Sequence, residues 1–208
     1  MTTRGFTTNG GIFGTGSNFK DRYVPDYNKL KKLIDHCKGM GLKIVLTQGT
    51  YDMVHIGHGR YFEEAKKHGD LLVVGVDSDK KVKIRKGPDR PLVPHTERLE
   101  MVTHIRSVDI VTLKEHNMPK FHLIKTVRPD VLIVTQGTLA KYSKAEIEEM
   151  KSYCGKVKSL TPMATTSTSA KIRLMQLKLA NKFQKKFEKT IVPKLADMIN
   201  DALGHNKK

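Results

Sequence analysis

The sequence contains no tryptophan and only two cysteines among its 208 residues. Cys37 and Cys154 form no CxxC pair and no metal-ligand spacing, which excludes a disulfide-rich scaffold and a zinc motif. No apolar run approaches the ~18 residues that a membrane span needs. The stretch from Met1 to Gly16 also lacks the hydrophobic region of a secretory signal. We therefore expect a reduced, cytoplasmic protein without a membrane partner.

Acidic residues are also scarce, with 21 Asp and Glu against 38 Lys and Arg and a net charge of +17. The excess is densest from residue 171 onward, where ten basic residues stand against three acidic ones. A strongly basic chain attracts phosphate in the form of nucleic acid, nucleotide, sugar phosphate or anionic lipid. Composition alone does not choose among these ligands.

Short apolar runs alternate with helical periodicity through the middle of the chain. The runs at Lys43–Thr47, Leu71–Val76 and Val131–Val134 predict buried parallel strands. Strands that alternate with helices indicate an α/β fold, a Rossmann-like parallel sheet flanked by helices. Further strands are predicted at 109–113 and 156–160, and helices at 26–38, 97–106, 120–127 and 144–153.

The chain from Ser169 to about His205 has the pattern of a basic amphipathic helix, which Pro193 is expected to divide. Its apolar stripe includes Ile172 and Phe187. Such a stripe packs on the domain's own core or on a second subunit, and core packing is the more common outcome.

The most informative stretch is Thr47–His58, TQGTYDMVHIGH, which joins the first predicted strand to the next helix. Ligands of open α/β sheets bind at this position, and the free N–H groups of a helix start favour an anion. Gly49 and Gly57 let the backbone approach a phosphate closely. His55 and His58 are three residues apart, so both rings point the same way and can donate to phosphate oxygens. A lone histidine is more often structural, but the combined pattern is more specific.

Several motifs together resemble the nucleotidylyltransferase superfamily and, within it, the cytidylyltransferase-like family. They are the His-x-Gly-His motif, Gly-Thr-Tyr-Asp at Gly49–Asp52, the basic stretch Arg85–Pro91 and the hydroxyl residues Ser167–Ser169. The resemblance extends from about Asp26 to Ile172. The family includes the glycerol-3-phosphate cytidylyltransferase branch and the adenylyltransferase domain of ADP-heptose synthesis.

The resemblance implies transfer of AMP or CMP from ATP or CTP to a phosphorylated small molecule, a sugar or polyol phosphate. The acceptor attacks the α-phosphorus in line, pyrophosphate leaves, and Mg²⁺ balances charge. By motif correspondence the catalytic residues are His55, His58 and Lys86. The residues expected to bind nucleotide are Gly49, Thr50, Tyr51, Asp52, Gly57, Arg90, Ser167, Thr168 and Ser169. The simpler interpretations are a solvated loop charge for Lys86 and an ordinary helix cap for Ser167–Ser169.

The Arg85–Pro91 stretch is typical of the heptose branch and favours an adenylyltransferase over the alternative, a glycerol-3-phosphate-type cytidylyltransferase. One departure leaves the base and the acceptor open. The family has Lys-Gly-x-Asp after its fourth strand, whereas this chain has Thr135–Thr138, TQGT, without a carboxylate.

Homodimers are frequent in the family, so a homodimer is expected. The expected parts are an N-terminal arm at 1–25, a nucleotidylyltransferase domain at 26–172 and a C-terminal helical extension at 173–208.

Two other classes of function compete with this interpretation. His-Ile-Gly-His is also the class I aminoacyl-tRNA synthetase signature, and Lys141–Ala145 resembles that family's second motif. However, 208 residues leave no room for an anticodon-binding domain, and Ser143–Glu146 is explained by a helix capping box.

A catalytically degenerate nucleotide- or nucleic-acid-binding protein would suit the basic C-terminal segment and the altered Thr135–Thr138 loop. The intact histidines and basic stretch argue against it, so a nucleic-acid partner is not expected.

Overall fold

The computed structural model describes residues 18–161, Met163 and residues 168–203. The chain divides into two compact units, Met1–Thr165 and Thr166–Lys208. The strands of the first unit are β1 (Ile44–Gly49), β2 (Leu71–Asp77), β3 (Ile110–Lys114), β4 (Val131–Thr135) and β5 (Lys156–Leu160). They form one sheet in the order β3-β2-β1-β4-β5, and every pairing is parallel. The Rossmann-like α/β fold predicted from the sequence is therefore confirmed.

Helices precede and connect these strands. They are α1 (Phe19–Arg22), α2 (Tyr27–Gly39), α3 (Ile56–Lys66), α4 (Asp79–Lys86), α5 (His95–Thr103), α6 (His122–Val127), α7 (Gln136–Leu139) and α8 (Lys144–Ser152).

Two of the predicted helices begin with side-chain caps, and the cap at Ser143 was predicted from the sequence. The Asp26 side chain accepts hydrogen bonds from the backbone N–H groups of Asn28 and Lys29 at the start of α2. Ser143 and Glu146 form a capping box at the start of α8. Capping of α8 therefore explains the residue types in this stretch that resemble a synthetase motif, because both side chains accept hydrogen bonds from backbone N–H groups at the helix start.

The core lies on both faces of the sheet, because successive strand side chains point to opposite sides. Ile44 and Leu46 of β1 face a cluster built with α2, α6 and α8. Val45 faces the other cluster, which includes Phe62 of α3 and Leu99 of α5. The central strands are thus buried on both faces, which is why they appear in the sequence as continuous apolar runs.

The end of the predicted N-terminal arm is structured rather than irregular. Residues 19–22 form α1, and Tyr23 makes a parallel bridge to Val111 of the edge strand β3. The Arg22 guanidinium donates to the Val108 carbonyl at 2.7 Å. An edge strand presents unpaired backbone groups, so a covering segment satisfies some of them.

Helix α4 was not predicted, because its sequence DKKVKIRK has no apolar periodicity and only Val82 is buried. Its ends carry clear signals. The Ser78 hydroxyl accepts from the Lys81 N–H at the start, and Gly87, with φ of 99°, follows the last residue. That left-handed conformation suits glycine and ends a helix. Lys86 therefore lies at the end of a helix and not within a loop, which corrects the sequence-based expectation.

The second unit consists of α9 (Thr168–Lys186), a π-helical turn (Phe187–Ile191) and α10 (Val192–Ala202). Pro193 lies in the first turn of α10, where its missing N–H costs no helical hydrogen bond. None of the helices in the described part of the chain is both long enough and apolar enough to cross a bilayer.

Gly75 in the middle of β2 provides a test of the packing. A Cβ at this position would lie 2.4 Å from Leu123 Cδ2 and 2.9 Å from Lys114 Cδ. Gly75→Ala is therefore expected to lower the free energy of unfolding by about 1–3 kcal/mol, the usual cost of overpacking a core. Urea denaturation measures the change.

Gly39→Ala is the matched control, because a Cβ there meets nothing within 4 Å. It should leave stability unchanged or raise it by up to ~1 kcal/mol. An unaltered denaturation midpoint for Gly75→Ala would contradict the packing described for β2.

Candidate active site

The candidate site lies at the carboxyl ends of β1 and β4, where the strand order reverses. From β1 the chain continues to β2 on one side, while β4 pairs with β1 on the other. Ligands of open α/β sheets bind in the crevice at such a switch point. The two Thr-Gln-Gly-Thr segments, Thr47–Thr50 and Thr135–Thr138, end these two neighbouring strands. In the second segment the Thr135 hydroxyl caps α7 by accepting from the Thr138 N–H at 3.2 Å.

The two histidines of the motif form the amino-terminal cap of α3. His55 Nδ1 accepts a hydrogen bond from the Gly57 N–H at 3.1 Å, and His58 Nδ1 accepts from the His55 N–H at 3.3 Å. The pair is a capping box in which both side chains are imidazoles. Their ring centroids lie 4.2 Å apart, so the two rings lie together as the spacing predicted.

The cap determines where each neutral ring carries its proton. A ring nitrogen that accepts a hydrogen bond cannot hold the proton of neutral imidazole, so the proton lies on Nε2. Desolvation, followed by the charges of His55 and Lys86, lowers the pKa of His58 to about 4. Near neutral pH His58 is therefore a neutral Nε2–H donor.

The turn before α3 packs behind the histidines. Tyr51 is buried, and its ring meets the His58 ring edge-on at 5.6 Å and the Phe62 ring at 4.9 Å. Tyr51 and Met53 both have positive φ, 51° and 52°, a strained conformation for residues with side chains. Gly49 leaves room for the Tyr51 ring, because a Cβ at this position would lie 3.1 Å from it. Tyr51 therefore packs against the His58 ring, and its assignment to nucleotide binding stays a prediction.

Asp52 and Arg90, both predicted to bind nucleotide, are brought together by the fold. The Asp52 carboxylate forms an ion pair with Arg90 at 2.6 Å and accepts from the backbone N–H groups of Leu92 and Val93. Asp52 is only 3% exposed, so these contacts are shielded from water. Asp52 thus fixes the segment that follows α4 against the turn that precedes α3.

Arg98 of α5 is a central residue of the site that sequence reasoning did not assign. Its guanidinium, 1% exposed, donates to the carbonyl oxygens of Thr50 and Val93 and to the Asp79 carboxylate at 2.7 Å. Asp79 also contacts His95 Nδ1 at 2.9 Å. The sequence contained one signal for this role, an arginine in the apolar stripe of an amphipathic helix, which needs buried partners.

Lys86 lies close enough to His58 for its charge to lower the pKa of that ring. Desolvation, then the charges of Arg85 and Arg90, in turn lower the pKa of Lys86. Of the three residues predicted as catalytic, His55 and His58 are thus in ring contact, and the charge of Lys86 acts on His58. Thr50 contributes a buried hydroxyl that has no hydrogen-bond partner within the part of the chain described.

The last predicted group falls at the limit of the described structure. Ser167 lies outside the described residues, and only the helical backbone is described for Thr168 and Ser169. Their assignment to nucleotide binding stays a prediction.

The tautomer and pKa of His58 can be measured directly. Long-range ¹H–¹⁵N NMR at pH 6 should show a neutral Nε2–H ring for His58. Between about pH 6.5 and 4 the unfolded state binds a proton at His58 that the folded state does not. Stability therefore falls as pH falls through this window. A protonated or Nδ1–H ring at pH 6 would contradict the capping geometry.

Known proteins resemble this chain in sequence and in fold. A family model described as cytidylyltransferase-like matches residues 46–191. The bifunctional protein HldE of Hahella chejuensis is 37% identical over 153 residues, which cover 72% of this chain and 32% of that protein. HldE of Geobacter metallireducens is 32% identical over 164 residues, with coverage of 76% and 32%. The match thus spans about a third of the length of these two relatives.

Solved structures support the fold. A pantoate-β-alanine ligase from Francisella tularensis has a TM-score of 0.52 at 12% identity, over 71% of this chain and 69% of that chain. A pantothenate synthetase from Thermus thermophilus has a TM-score of 0.51 at 11% identity, with coverage of 67% and 61%. At these identities the likeness is one of fold alone. From the family match and the motif geometry, the chain belongs to the cytidylyltransferase-like family and carries a nucleotidyltransferase domain.

Proposed function

We propose that this domain transfers AMP from ATP to the phosphate of a small phosphorylated acceptor, a sugar or polyol phosphate. An acceptor phosphate oxygen forms a bond to the α-phosphorus as the bond to the leaving pyrophosphate breaks. The observation that carries the proposal is the histidine capping box, since it orients two neighbouring Nε2–H donors away from the helix start. Donors aimed at oxygens that gain charge stabilise the transition state of such a transfer.

The neutral state of His58 suits this role. A ring with a pKa of about 4 keeps its proton on Nε2 as a hydrogen-bond donor and does not change charge near neutral pH. The positive charge is supplied by Lys86, whose ammonium carries charge without a change of tautomer. Its place at the end of α4, beside the segment held by Asp52, keeps it near the two rings.

Mg²⁺ is proposed to enter with the nucleotide. The described residues include no group of three His, Cys, Asp or Glu side chains that could hold a metal ion. Asp52 is already committed to Arg90 and two backbone N–H groups. Mg²⁺ commonly binds substrate phosphates with few protein ligands, so the chain's own residues fit an ion that ATP carries. When bound, the ion would neutralise phosphate charge.

ATP is favoured over CTP by the Arg85–Pro91 stretch, which resembles the heptose branch, and by the similarity to the bifunctional HldE proteins. Transfer of CMP in the manner of a glycerol-3-phosphate cytidylyltransferase is the alternative. The homodimer implied by the family resemblance stays a prediction.

The donor can be identified by ligand-induced stabilisation. MgATP should raise the melting temperature more than MgCTP, MgGTP or MgUTP, because a ligand that binds only the folded state stabilises it by mass action. The rise should persist when the salt concentration is increased from about 0.15 to about 0.5 M, since a specific site depends less on salt than diffuse phosphate attraction does. An equal rise with all four nucleotides that vanishes in salt would contradict a specific nucleotide site and favour the binding-protein alternative.

Removal of either donor should slow turnover without unfolding the domain. His55→Ala and His58→Ala are each expected to lower kcat by about 10²–10³, the usual effect of losing one transition-state donor. Pyrophosphate release from MgATP in the presence of a panel of sugar and polyol phosphates provides the assay.

The control variant is His36→Ala, because His36 is an exposed histidine on α2. It should retain full activity. Circular dichroism of each variant checks the fold, since loss of a helix cap alone costs about 1 kcal/mol. Near-normal turnover in both motif variants would overturn the catalytic role of the histidines.

A further inference from the structure

A polar cavity lies at the end of β1, the strand that leads into the histidine motif, and no function has yet been given to it. Its volume is about 330 Å³, within the lower range of small-molecule sites. Its walls come from the end of β1, α4, the end of β3, the start of α6 and the segment between α7 and α8. His55, His58 and Lys86 do not line it. Gln48, at the end of β1, connects the cavity to the turn that carries the motif.

Basic side chains dominate this cavity. Its lining includes Lys81, Arg85, Lys114, Lys120 and Lys141. Lysine and arginine only donate hydrogen bonds, so such a wall is matched by a ligand rich in acceptor oxygens. No acidic side chain lines the cavity among the residues that the structure describes.

Two carboxylates behind the wall compensate only part of this charge. Asp77, 0% exposed, contacts Arg85 at 2.7 Å and Lys114 at 3.3 Å. Glu146 is paired with Lys120. Five positive side chains therefore line the cavity, and two carboxylates contact three of them. This leaves a formal surplus of three positive charges.

The packing of the sheet fixes part of the cavity wall, because the Lys114 side chain lies against a glycine of β2. Lys114 is 15% exposed, and its aliphatic chain passes over Gly75, where a Cβ would lie 2.9 Å from Lys114 Cδ. Phe121, also in the wall, has φ of 60°, a strained left-handed conformation of the kind that concentrates at ligand sites. Desolvation and the charges of Lys81 and Arg85 lower the pKa of Lys114, whereas Asp77 raises it.

We infer that this cavity selects an acceptor with a second anionic group, a carboxylate or a further phosphate, besides the phosphate that attacks ATP. The inference rests on the proposed function, because it assigns the cavity to the acceptor. One phosphate monoester carries a charge of about −1.5 to −2 at neutral pH, so it leaves part of the surplus uncompensated. A polyol phosphate without a further anionic group would leave several donors of the wall without anionic partners, which disfavours its binding.

A matched pair of probes tests the inference. Glycerol 3-phosphate and 3-phosphoglycerate have the same three-carbon skeleton, but only the second carries an additional carboxylate. In calorimetric titrations of the full chain at about 0.3 M salt, 3-phosphoglycerate should bind about 10-fold more tightly, a ratio of the size expected for one charge-assisted contact. Equal affinities for the two probes would overturn the inference.

Variants assign the preference to this wall. Lys120→Gln combined with Lys141→Gln should reduce the preference from about 10-fold to about 2-fold or less, because both charge-assisted donors are lost. Lys151→Gln is the control, because Lys151 is another exposed lysine, which pairs with Glu148 at 2.8 Å and does not line the cavity. It should retain the preference. A preference that survives in the double variant would place the second anion elsewhere and overturn the assignment.

MgATP titrations of the same variants separate this inference from the proposed function. Both variants should bind MgATP with unchanged affinity, because the cavity is distinct from the residues that face the triphosphate. If MgATP fails to bind even to the unaltered chain while the probe preference persists, the proposed function fails and the anion site stands. If MgATP binds and the probes are not distinguished, the reverse holds.

Discussion

The buried guanidinium of Arg98 is the interaction on which the geometry of the site depends. It connects the turn after β1, the segment before α5 and the first turn of α4 through Thr50, Val93 and Asp79. A buried charge without partners costs several kcal/mol, so each of these three contacts keeps the others in place. The ion pair between Asp52 and Arg90 joins two of the same segments a second time. The position of Lys86 follows from this network, because the segment that begins at Gly87 is held at both ends.

The histidine motif links helix formation to chemistry in a single set of hydrogen bonds. Every helix start has free N–H groups that need acceptors, and here two imidazole Nδ1 atoms supply them. The same bonds leave both Nε2–H groups available as donors. A serine or aspartate could also cap the helix, but neither side chain has a second ring N–H beyond the capping atom. The proposed catalytic function therefore favours histidine at both positions, where the same rings also cap the helix.

Two groups of positively charged side chains lie at one end of the sheet. One group, with Lys86 and Arg90, lies by the histidines, and a second group surrounds the neighbouring cavity. Both occur near the carboxyl ends of the strands, where a Rossmann-like sheet leaves space for ligands. The Thr135–Thr138 segment, which contains no carboxylate, lies in the same region, and Thr138 lines the cavity.

The sequence by itself determined the parallel α/β fold, the capping box at Ser143 and the close approach of the two motif histidines. Each of these depends on residues within a few positions of one another, and periodicity and capping rules describe such short-range effects. Helix α4 could not be predicted, because its single buried residue leaves no apolar pattern. Only the tertiary structure decided that Asp52 pairs with Arg90, that Arg98 joins three segments, and that lysines of α4, β3 and the α7–α8 segment share one cavity. These contacts join residues far apart in the chain, and parallel strand pairing, which aligns the carboxyl ends of separate strands, is what brings them together.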